Sequence, residues 1–435
     1  MSSKHKFLTF VIPSILAFAL SGVYTIVDGF FVGNSLGDMG LASINLGFPV
    51  SALIQAVGTG IGLAGAIRFT IFKGQKKDDT AVTCFTATIL LLALVSILLT
   101  GVILAVLSPL IHLLGAEGKL YTLTFSYVQI IGLGSVFQVF ATGLVPFIRN
   151  LGGSAFAMFS MIAGFLTNIG LDYLFVWVYH QGMAGAAWAT IIGQGVTMLA
   201  AVLYLIKKKI GFSLPSREQI SVLFAAILKI SVAPFGLTFS PQITTIFMNR
   251  FLMIYGGDQA VAVYGCIAYI TAIIYLLLQG VGDGSQPLIS RYFSEGNLAV
   301  MKQTRKYAYF TSAGISLICM AAFFVMRDKI GLLFGASQET NHSVANYLPL
   351  FLAALIFLSY IRITTAFFYA TEKSFFSYLL VYAEPVSILI LLLILPQIPL
   401  LGILGVWLAV PLAQCITWFF ALMMKHKVDK QTYIE

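Results

Sequence analysis

Residues 81–107 read AVTCFTATILLLALVSILLTGVILAVL, a run without a single charged side chain. A helix of about 20 apolar residues spans the hydrocarbon core of a bilayer, so this run is long enough to cross it. Of the 435 residues in the chain, 59% are hydrophobic and 9% are charged. Soluble domains carry roughly 25% charged residues. The composition therefore predicts an integral membrane protein and excludes a soluble enzyme, a nucleic-acid-binding module and a disordered scaffold.

Apolar runs of this length recur along the whole chain. They lie at 8–32, 42–71, 81–107, 122–148, 154–178, 184–206, 221–253, 261–290, 303–326, 343–370, 375–395 and 401–424. The alternation of apolar and polar residues that is typical of a membrane β-barrel is absent from the sequence. We therefore expect an all-α polytopic membrane protein with twelve transmembrane helices.

The basic residues indicate how these spans are oriented. Of the 25 Lys and Arg residues, 19 fall in the terminal segments and in the loops on one side. Loops rich in Lys and Arg face the cytoplasm. We expect a multi-pass protein of the plasma (inner) membrane with both termini in the cytoplasm. No basic stretch is interleaved with aromatic residues, so a nucleic-acid partner is not expected.

The second half of the chain resembles the first when the sequence is shifted by 220 positions. Matching pairs are Gly60 and Gly280, Tyr127 and Tyr347, Gly182 and Gly402, and Gln194 and Gln414. We predict two lobes of six helices, residues 1–210 and 211–435, which enter the membrane in the same direction. Two such bundles could rock to open a cleft to either side in turn. A duplication without moving parts is the alternative.

Polar side chains interrupt three spans of the first half. Asp28 lies in the first span, Asn168 and Asp172 lie one turn apart in the fifth, and Thr190 lies in the sixth. An ionisable residue at a helix centre costs at least about 2.5 kcal/mol, so it needs a partner or a function. At about 1.5 Å per residue, these side chains lie at similar depths near the outer face. Two carboxylates, an amide oxygen and a hydroxyl suit Na⁺, and neighbouring carboxylates could instead share a proton.

The repeat offers a comparison within the chain. The shift of 220 places apolar residues, Ile388, Leu392 and Val410, opposite Asn168, Asp172 and Thr190. Opposite Asp28 it places Met248, or Asn249 if Pro13 is matched with Pro234. The second half has therefore lost the acids of this group.

A different polar group occurs in the second half. It consists of Asp283, Gln286, Arg362 and Glu384. A structural ion pair between Arg362 and one of the acids is as plausible as a role in binding the transported substrate. Both interpretations stay open.

Pro13 precedes Asp28 in the first span. Proline removes a backbone hydrogen bond and can kink a helix. We hypothesise that bending of this span at Pro13 couples cation binding to opening of the transporter.

Motifs of common enzymes are missing from the sequence. It contains no Walker motif, nucleophile elbow or His-rich metal cluster. The four cysteines are scattered and have no metal-binding spacing. We expect neither an enzyme nor a cofactor, apart from a coupling ion, Na⁺ or H⁺.

Four stretches together make the chain resemble the multidrug and toxic compound extrusion (MATE) family. They are VDGFFVG at 27–33, NIGLD at 168–172, GAAWATIIGQ at 185–194 and GVGDGSQP at 280–287. The resemblance extends over essentially the whole chain. It implies a V-shaped pair of pseudo-symmetric six-helix bundles that exports amphipathic, often cationic, drugs in exchange for Na⁺ or H⁺.

The resemblance also implies roles for individual residues. In several bacterial members an acid on helix 1, an Asn and an Asp on helix 5 and a Thr on helix 6 bind the cation. These roles fall on Asp28, Asn168, Asp172 and Thr190. Some relatives carry cation-binding acids in helices 7 and 10, where this chain has Asn249 and Arg362, so such a site is not expected in the second lobe.

These observations favour a secondary active multidrug efflux transporter. We expect a monomer whose partners are small amphipathic drugs and the lipid bilayer. The alternative is a flippase for lipid-linked precursors, which the wider superfamily also contains. A flippase would need a basic cavity for pyrophosphate, whereas the spans hold more acids than bases. A passive channel is disfavoured because two diverged halves cannot form a ring of like residues.

Overall fold

The described part of the chain consists almost entirely of helices joined by short connections. The computed structural model describes residues 2–334 and 336–434, without the side chains of 25, 26, 38 and 431–434, and this part contains no β-strand. The α-helices are α1 (Ser3–Gly74), α2 (Asp78–Ala105), α3 (Leu107–Leu113), α4 (Gly118–Leu133), α5 (Ser135–Asn150), α6 (Ser154–Asp172), α7 (Gly182–Lys207), α8 (Arg217–Ser294), α9 (Leu298–Leu333), α10 (Gln338–Ala370), α11 (Ser374–Ile394) and α12 (Ile403–Ile434). A π-helix (Tyr173–Val178) follows α6 and a 3₁₀-helix (Leu395–Gln397) follows α11. An α-helix forms the hydrogen bonds of its own backbone N–H and C=O groups, for which lipid offers no partners.

The long helices account for the predicted spans. Among the described residues, ten helices are long and apolar enough to cross a membrane, or eleven when the bent pair α4 and α5 is counted as one span. The backbone of α1 is non-helical at Gly37, and that of α8 is non-helical at Gly257. The count already treats α1 as two spans, Ser3–Gly37 and Met39–Gly74, but treats the 78-residue α8 as one. Divided at Gly257, α8 also supplies two spans. With this division the count reaches twelve, and the all-helical polytopic fold is confirmed.

The fourth span differs from the single helix expected over 122–148. Its two parts, α4 and α5, meet at an angle of 53°. Gly134 stands at the bend and packs tightly on Ile191, because a Cβ at Gly134 would lie 2.7 Å from the Ile191 Cβ. The Gly132 carbonyl oxygen accepts a hydrogen bond from Thr100 Oγ1 at 3.2 Å. Close packing and this replacement bond explain why the helix bends here.

The backbone repeats as the sequence does. Four pairs of residues with positive φ lie 220 positions apart: Gly37 and Gly257, Lys76 and Gly296, Gly152 and Glu372, and Gly182 and Gly402. In two of these pairs the partner of a glycine is Lys76 or Glu372, and positive φ is uncommon for such residues, so the turn itself is shared by the two halves. Counting back equally from the breaks at Gly37 and Gly257 pairs Asp28 with Met248.

The described chain forms two compact units. One consists of Leu8–Thr238 with Ser290–Gly296, and the other of Met1–Phe7, Phe239–Ile289 and Asn297–Glu435. The lobe boundary between residues 210 and 211 falls in the connection between α7 and α8. It stays a prediction.

Candidate functional site

The four polar residues singled out in the first half meet inside the first unit. Asp28 on α1, Asn168 and Asp172 on α6, and Thr190 on α7 are 8%, 2%, 0% and 6% exposed, so protein surrounds them. The carboxyl groups of Asp28 and Asp172 are close enough to share a hydrogen bond when one of them is protonated. Asn168 Nδ2 donates to Thr190 Oγ1 at 3.5 Å. The structure thus brings all four side chains together.

Acceptor oxygens accumulate in this pocket without donors. With both carboxyl groups ionised, Asp28 Oδ1, Asn168 Oδ1 and both carboxylate oxygens of Asp172 are buried and have no hydrogen-bond partner. The Asn168 amide points its nitrogen at Thr190, which leaves the carbonyl oxygen uncompensated. An unsatisfied buried polar atom costs about 1–3 kcal/mol, and each one calls for an explanation. A bound cation would provide the positive partner that these oxygens lack.

The atoms of the pocket that could bind a cation are all oxygens. Carboxylate, amide and hydroxyl oxygens suit a hard cation, whereas sulfur and imidazole ligands suit transition metals. Over residues 2–334 and 336–434, no three His, Cys, Asp or Glu side chains are grouped as a metal site. The residues present therefore fit Na⁺ or a proton.

Small residues bring α6 and α7 close enough for this arrangement. Gly164 on α6 faces Gly193 on α7. A Cβ at Gly193 would lie 2.7 Å from the Gly164 carbonyl oxygen and 3.0 Å from the Cβ of Asn168. Helices in membranes approach closely through such small residues. The contact sets the position of Asn168 relative to Thr190.

The backbone changes its winding at the second acid. Asp172 is the last residue of α6, and the π-helix begins at Tyr173. π-helical turns are rare and occur frequently at functional sites. Trp177 in this turn lies against Phe31, with ring centroids 5.4 Å apart, and against Tyr173 at 6.0 Å. An aromatic cluster therefore adjoins the acid pair.

Two tyrosines in the pocket were missed by the sequence analysis. Tyr24 lies beside Thr190, and its ring stacks on Phe165 at 5.1 Å. Tyr127 on α4 is buried and lies close enough to both carboxyl groups to interact with their charge. Tyr24 could have been found, because it precedes Asp28 by four residues and shares its helix face. No sequence spacing connects Tyr127 with the acids.

The equivalent positions of the second unit are apolar. Met248, Ile388 and Leu392 are fully buried, and Val410 is nearly so. All four belong to one hydrophobic core, which also contains Trp407. The second unit therefore fills these positions with apolar contacts.

Part of the polar group predicted in the second half is connected by hydrogen bonds. The Arg362 guanidinium lies 4.9 Å from the centroid of the Tyr275 ring. Gln414 Nε2 donates to the Tyr275 hydroxyl at 2.8 Å and to Glu384 Oε1 at 3.1 Å. Arg362 and Glu384 are thus linked through Tyr275 and Gln414. A structural role and a transport role for them both stay predictions.

The remaining residues singled out from the sequence lie inside helices. Asp283 and Gln286 are buried in α8, and Asp283 Oδ1 accepts a hydrogen bond from the Tyr369 hydroxyl at 3.3 Å. Pro13 lies within α1, whose non-helical residue is Gly37. The proposed bending at Pro13 stays a prediction.

Comparison with known proteins agrees with this architecture. Residues 13–174 and 230–393 match the MatE family model, once in each half of the repeat. The multidrug export protein MepA of Staphylococcus haemolyticus is 25% identical over 441 aligned positions, which cover 98% of this chain and 95% of MepA.

Solved structures share the fold. A MOP superfamily transporter from Pyrococcus furiosus, described as having a binding pocket of reversed polarity, superposes with a TM-score of 0.93 at 22% identity, covering 100% of this chain and 97% of that chain. An outward-facing multidrug resistance transporter of the MATE family superposes with a TM-score of 0.91 at 22% identity, covering 100% and 98%.

Proposed function

This chain belongs to the MatE family of membrane transporters, and from that premise we propose that it exports amphipathic, cationic compounds in exchange for Na⁺ or H⁺. The curated relatives are named multidrug export proteins, which supports the same class of substrate. Transporters of this family are not enzymes. We further propose that the protein lies in the plasma membrane with both termini in the cytoplasm, because the basic loops lie on that side.

One observation carries the proposal: four buried acceptor oxygens converge without donors. Two neighbouring carboxylates in a low-dielectric site repel each other, so at least one positive charge is needed to hold them together. A proton would be shared between Asp28 and Asp172. Na⁺ would be held by the same carboxylates with the oxygens of Asn168 and Thr190 as further ligands.

Coupling follows from the charge of the emptied pocket. Release of the cation leaves an uncompensated negative charge on Asp28 and Asp172, which favours the approach of a cationic compound. We propose that cation and compound therefore compete for the protein, and that bending of α1 at Pro13 accompanies the exchange. The competition would drive export when the cation re-enters down its gradient.

The flippase alternative is not favoured. A lipid-linked pyrophosphate would require positive charge, whereas the side chains that meet in the pocket are acidic or neutral. Transport of such a lipid is an outcome that the experiment below would detect.

The test uses everted vesicles that contain the full chain. It follows, in parallel, uptake of a cationic fluorescent dye and movement of polyprenyl pyrophosphate under imposed Na⁺ or pH gradients. We expect one of the two gradients to drive transport. Asp172→Asn removes a charge but keeps the shape of the side chain, and its transport should fall to the level of empty vesicles. Asp78→Asn is the matched control, because Asp78 is exposed and forms a surface ion pair with Lys73 at 2.8 Å.

Three results would contradict the proposal in different ways. Wild-type transport by the Asp172→Asn variant would remove the cation site. Dye movement that needs no gradient would indicate a channel. Movement of polyprenyl pyrophosphate without dye transport would indicate a flippase.

A further inference from the structure

A basic groove runs along the first turns of α9. It has a volume of about 590 Å³ and is lined by Ala299, Lys302, Gln303, Lys306, Tyr307 and Phe310. These positions recur every three or four residues, so they form one face of the helix. We call this surface the α9 groove.

The polar groups of the α9 groove are hydrogen-bond donors. Lys302 and Lys306 are exposed, and the Lys306 ammonium lies 5.7 Å from the centroid of the Phe310 ring. Gln303 Nε2 donates to the Tyr307 hydroxyl oxygen at 2.9 Å, which leaves the hydroxyl proton available. Two ammonium groups and a phenol are suited to the oxygens of a phosphate group.

An acid on α12, Asp429, is paired with basic residues that lie outside the groove. Asp429 is held in a bidentate contact by Arg305, with N–O distances of 2.7 and 2.9 Å. Lys425 contacts the same carboxylate at 3.1 Å. On another side, Phe7 packs against Tyr307 with ring centroids 5.7 Å apart, so the wall of the groove is apolar.

The depth of the groove favours a lipid over a soluble anion. The predicted ninth span begins at residue 303, so Lys302 and Lys306 lie at its start and Phe310 lies one turn further in. Phe310 is 67% exposed, which suits contact with an acyl chain but offers nothing to free phosphate. Lysines at such a boundary extend toward the headgroup region and attract anionic lipids.

We propose that the α9 groove binds an anionic phospholipid, whose phosphate contacts Lys302 and Lys306 and whose acyl chain lies along Phe310. The proposal concerns the surface that faces the lipid. It does not depend on which ion or compound is transported.

The test measures lipid binding to the purified full chain in detergent by native mass spectrometry. Dihexanoyl phosphatidylglycerol should bind more tightly than dihexanoyl phosphatidylcholine. The double variant Lys302→Gln/Lys306→Gln should weaken binding of the anionic lipid roughly tenfold. The matched control Lys76→Gln/Lys77→Gln removes two exposed lysines outside the groove and should leave this affinity unchanged.

Two further measurements separate a lipid from a soluble anion. Phe310→Ala should weaken binding of the anionic lipid several-fold without loss of dye transport. Inorganic phosphate at the same concentration should not displace the lipid. The proposal is overturned if phosphatidylcholine binds equally well, if the control double variant loses as much affinity, or if phosphate displaces the lipid.

Discussion

The two halves of this chain share a backbone plan and have opposite chemistry at equivalent positions. Asp28 and Asp172 in the first half bring buried oxygens without donors into one pocket. Met248 and Leu392, at the equivalent positions, are fully buried in a hydrophobic core. The positive-φ residues 220 positions apart show that the two halves share turns and helix breaks, whereas these buried acids have no counterpart at the equivalent positions of the second half.

The comparison separates what the fold needs from what the function needs. In the second half, the same arrangement of helices is built with apolar side chains at the four positions. The first half retains a carboxylate pair that is costly to bury. Local features that oppose stability are expected at functional sites. The comparison therefore indicates that this arrangement of helices does not need the acid pocket for its support.

The largest expected effect is on stability. It comes from exchanging an acid and an apolar residue between the equivalent positions 172 and 392. Leu392→Asp would bury a charge among apolar side chains, and we expect a loss of at least about 3 kcal/mol in stability. Asp172→Leu removes a carboxylate whose oxygens have no donors, so stability should be unchanged or higher. The measurement is the midpoint of thermal unfolding of each variant in the same detergent.

Either of two results would break this comparison. An unchanged midpoint for Leu392→Asp would mean that the core of the second half admits water. A large loss of stability for Asp172→Leu would mean that the acid supports the fold of the first half. In that case the missing donors would not mark a cation site.

Much of the fold could be predicted because hydropathy acts locally. Each helix must bury about 20 apolar residues whatever its neighbours are, so span positions follow from composition. The bend between α4 and α5 could not be predicted in this way. It depends on the contact of Gly134 with Ile191, which lies far away in the sequence.

The candidate site was predictable for a different reason. Acids inside apolar spans are few, and helical spacing places Asn168 and Asp172 on one face. Tyr127 escaped prediction because only tertiary packing brings α4 to the acids. The same holds for Gln414, which joins Glu384 to Tyr275 across more than a hundred residues of chain.

A smaller effect, on the affinity for the coupling cation, should follow from widening the contact between α6 and α7. The Cβ of Gly193→Ala would press against the Gly164 carbonyl oxygen at 2.7 Å and against Asn168 at 3.0 Å. We expect the affinity for the coupling cation to fall roughly tenfold, because Asn168 and Thr190 must separate. The measurement is the cation concentration that gives half-maximal dye transport.

Gly195→Ala is the matched control for this substitution. Gly195 lies on the same helix, and the nearest atom to its added Cβ would be in Phe137 at 3.6 Å, an ordinary contact. Because alanine favours a helix over glycine by up to about 1 kcal/mol, this variant should be as stable as the wild type or more stable. Equal losses of cation affinity in both variants would show that the Gly164–Gly193 contact does not position Asn168.

The smallest expected effect, again on the affinity for the coupling cation, concerns two tyrosines that occupy equivalent positions in the two halves. Tyr127 lies near both acids, whereas Tyr347 stacks on Trp407 at 4.4 Å beside the apolar core. We expect the Tyr127 hydroxyl to donate to one of these carboxylates once the cation has left, which would stabilise the charged, cation-free state. Tyr127→Phe should therefore raise the affinity for the coupling cation about threefold, the worth of one modest hydrogen bond.

Tyr347→Phe should leave that affinity unchanged, because its neighbours carry no charge that the cation neutralises. Half-maximal activation of dye transport measures both variants under the same gradient. A lower affinity in Tyr127→Phe would reverse the assignment, since the hydroxyl oxygen would then be a ligand of the cation rather than a donor to the acids. That result would favour Na⁺ over a proton, because a shared proton needs no further oxygen ligand, and the two halves would then differ in their use of a residue that both have kept.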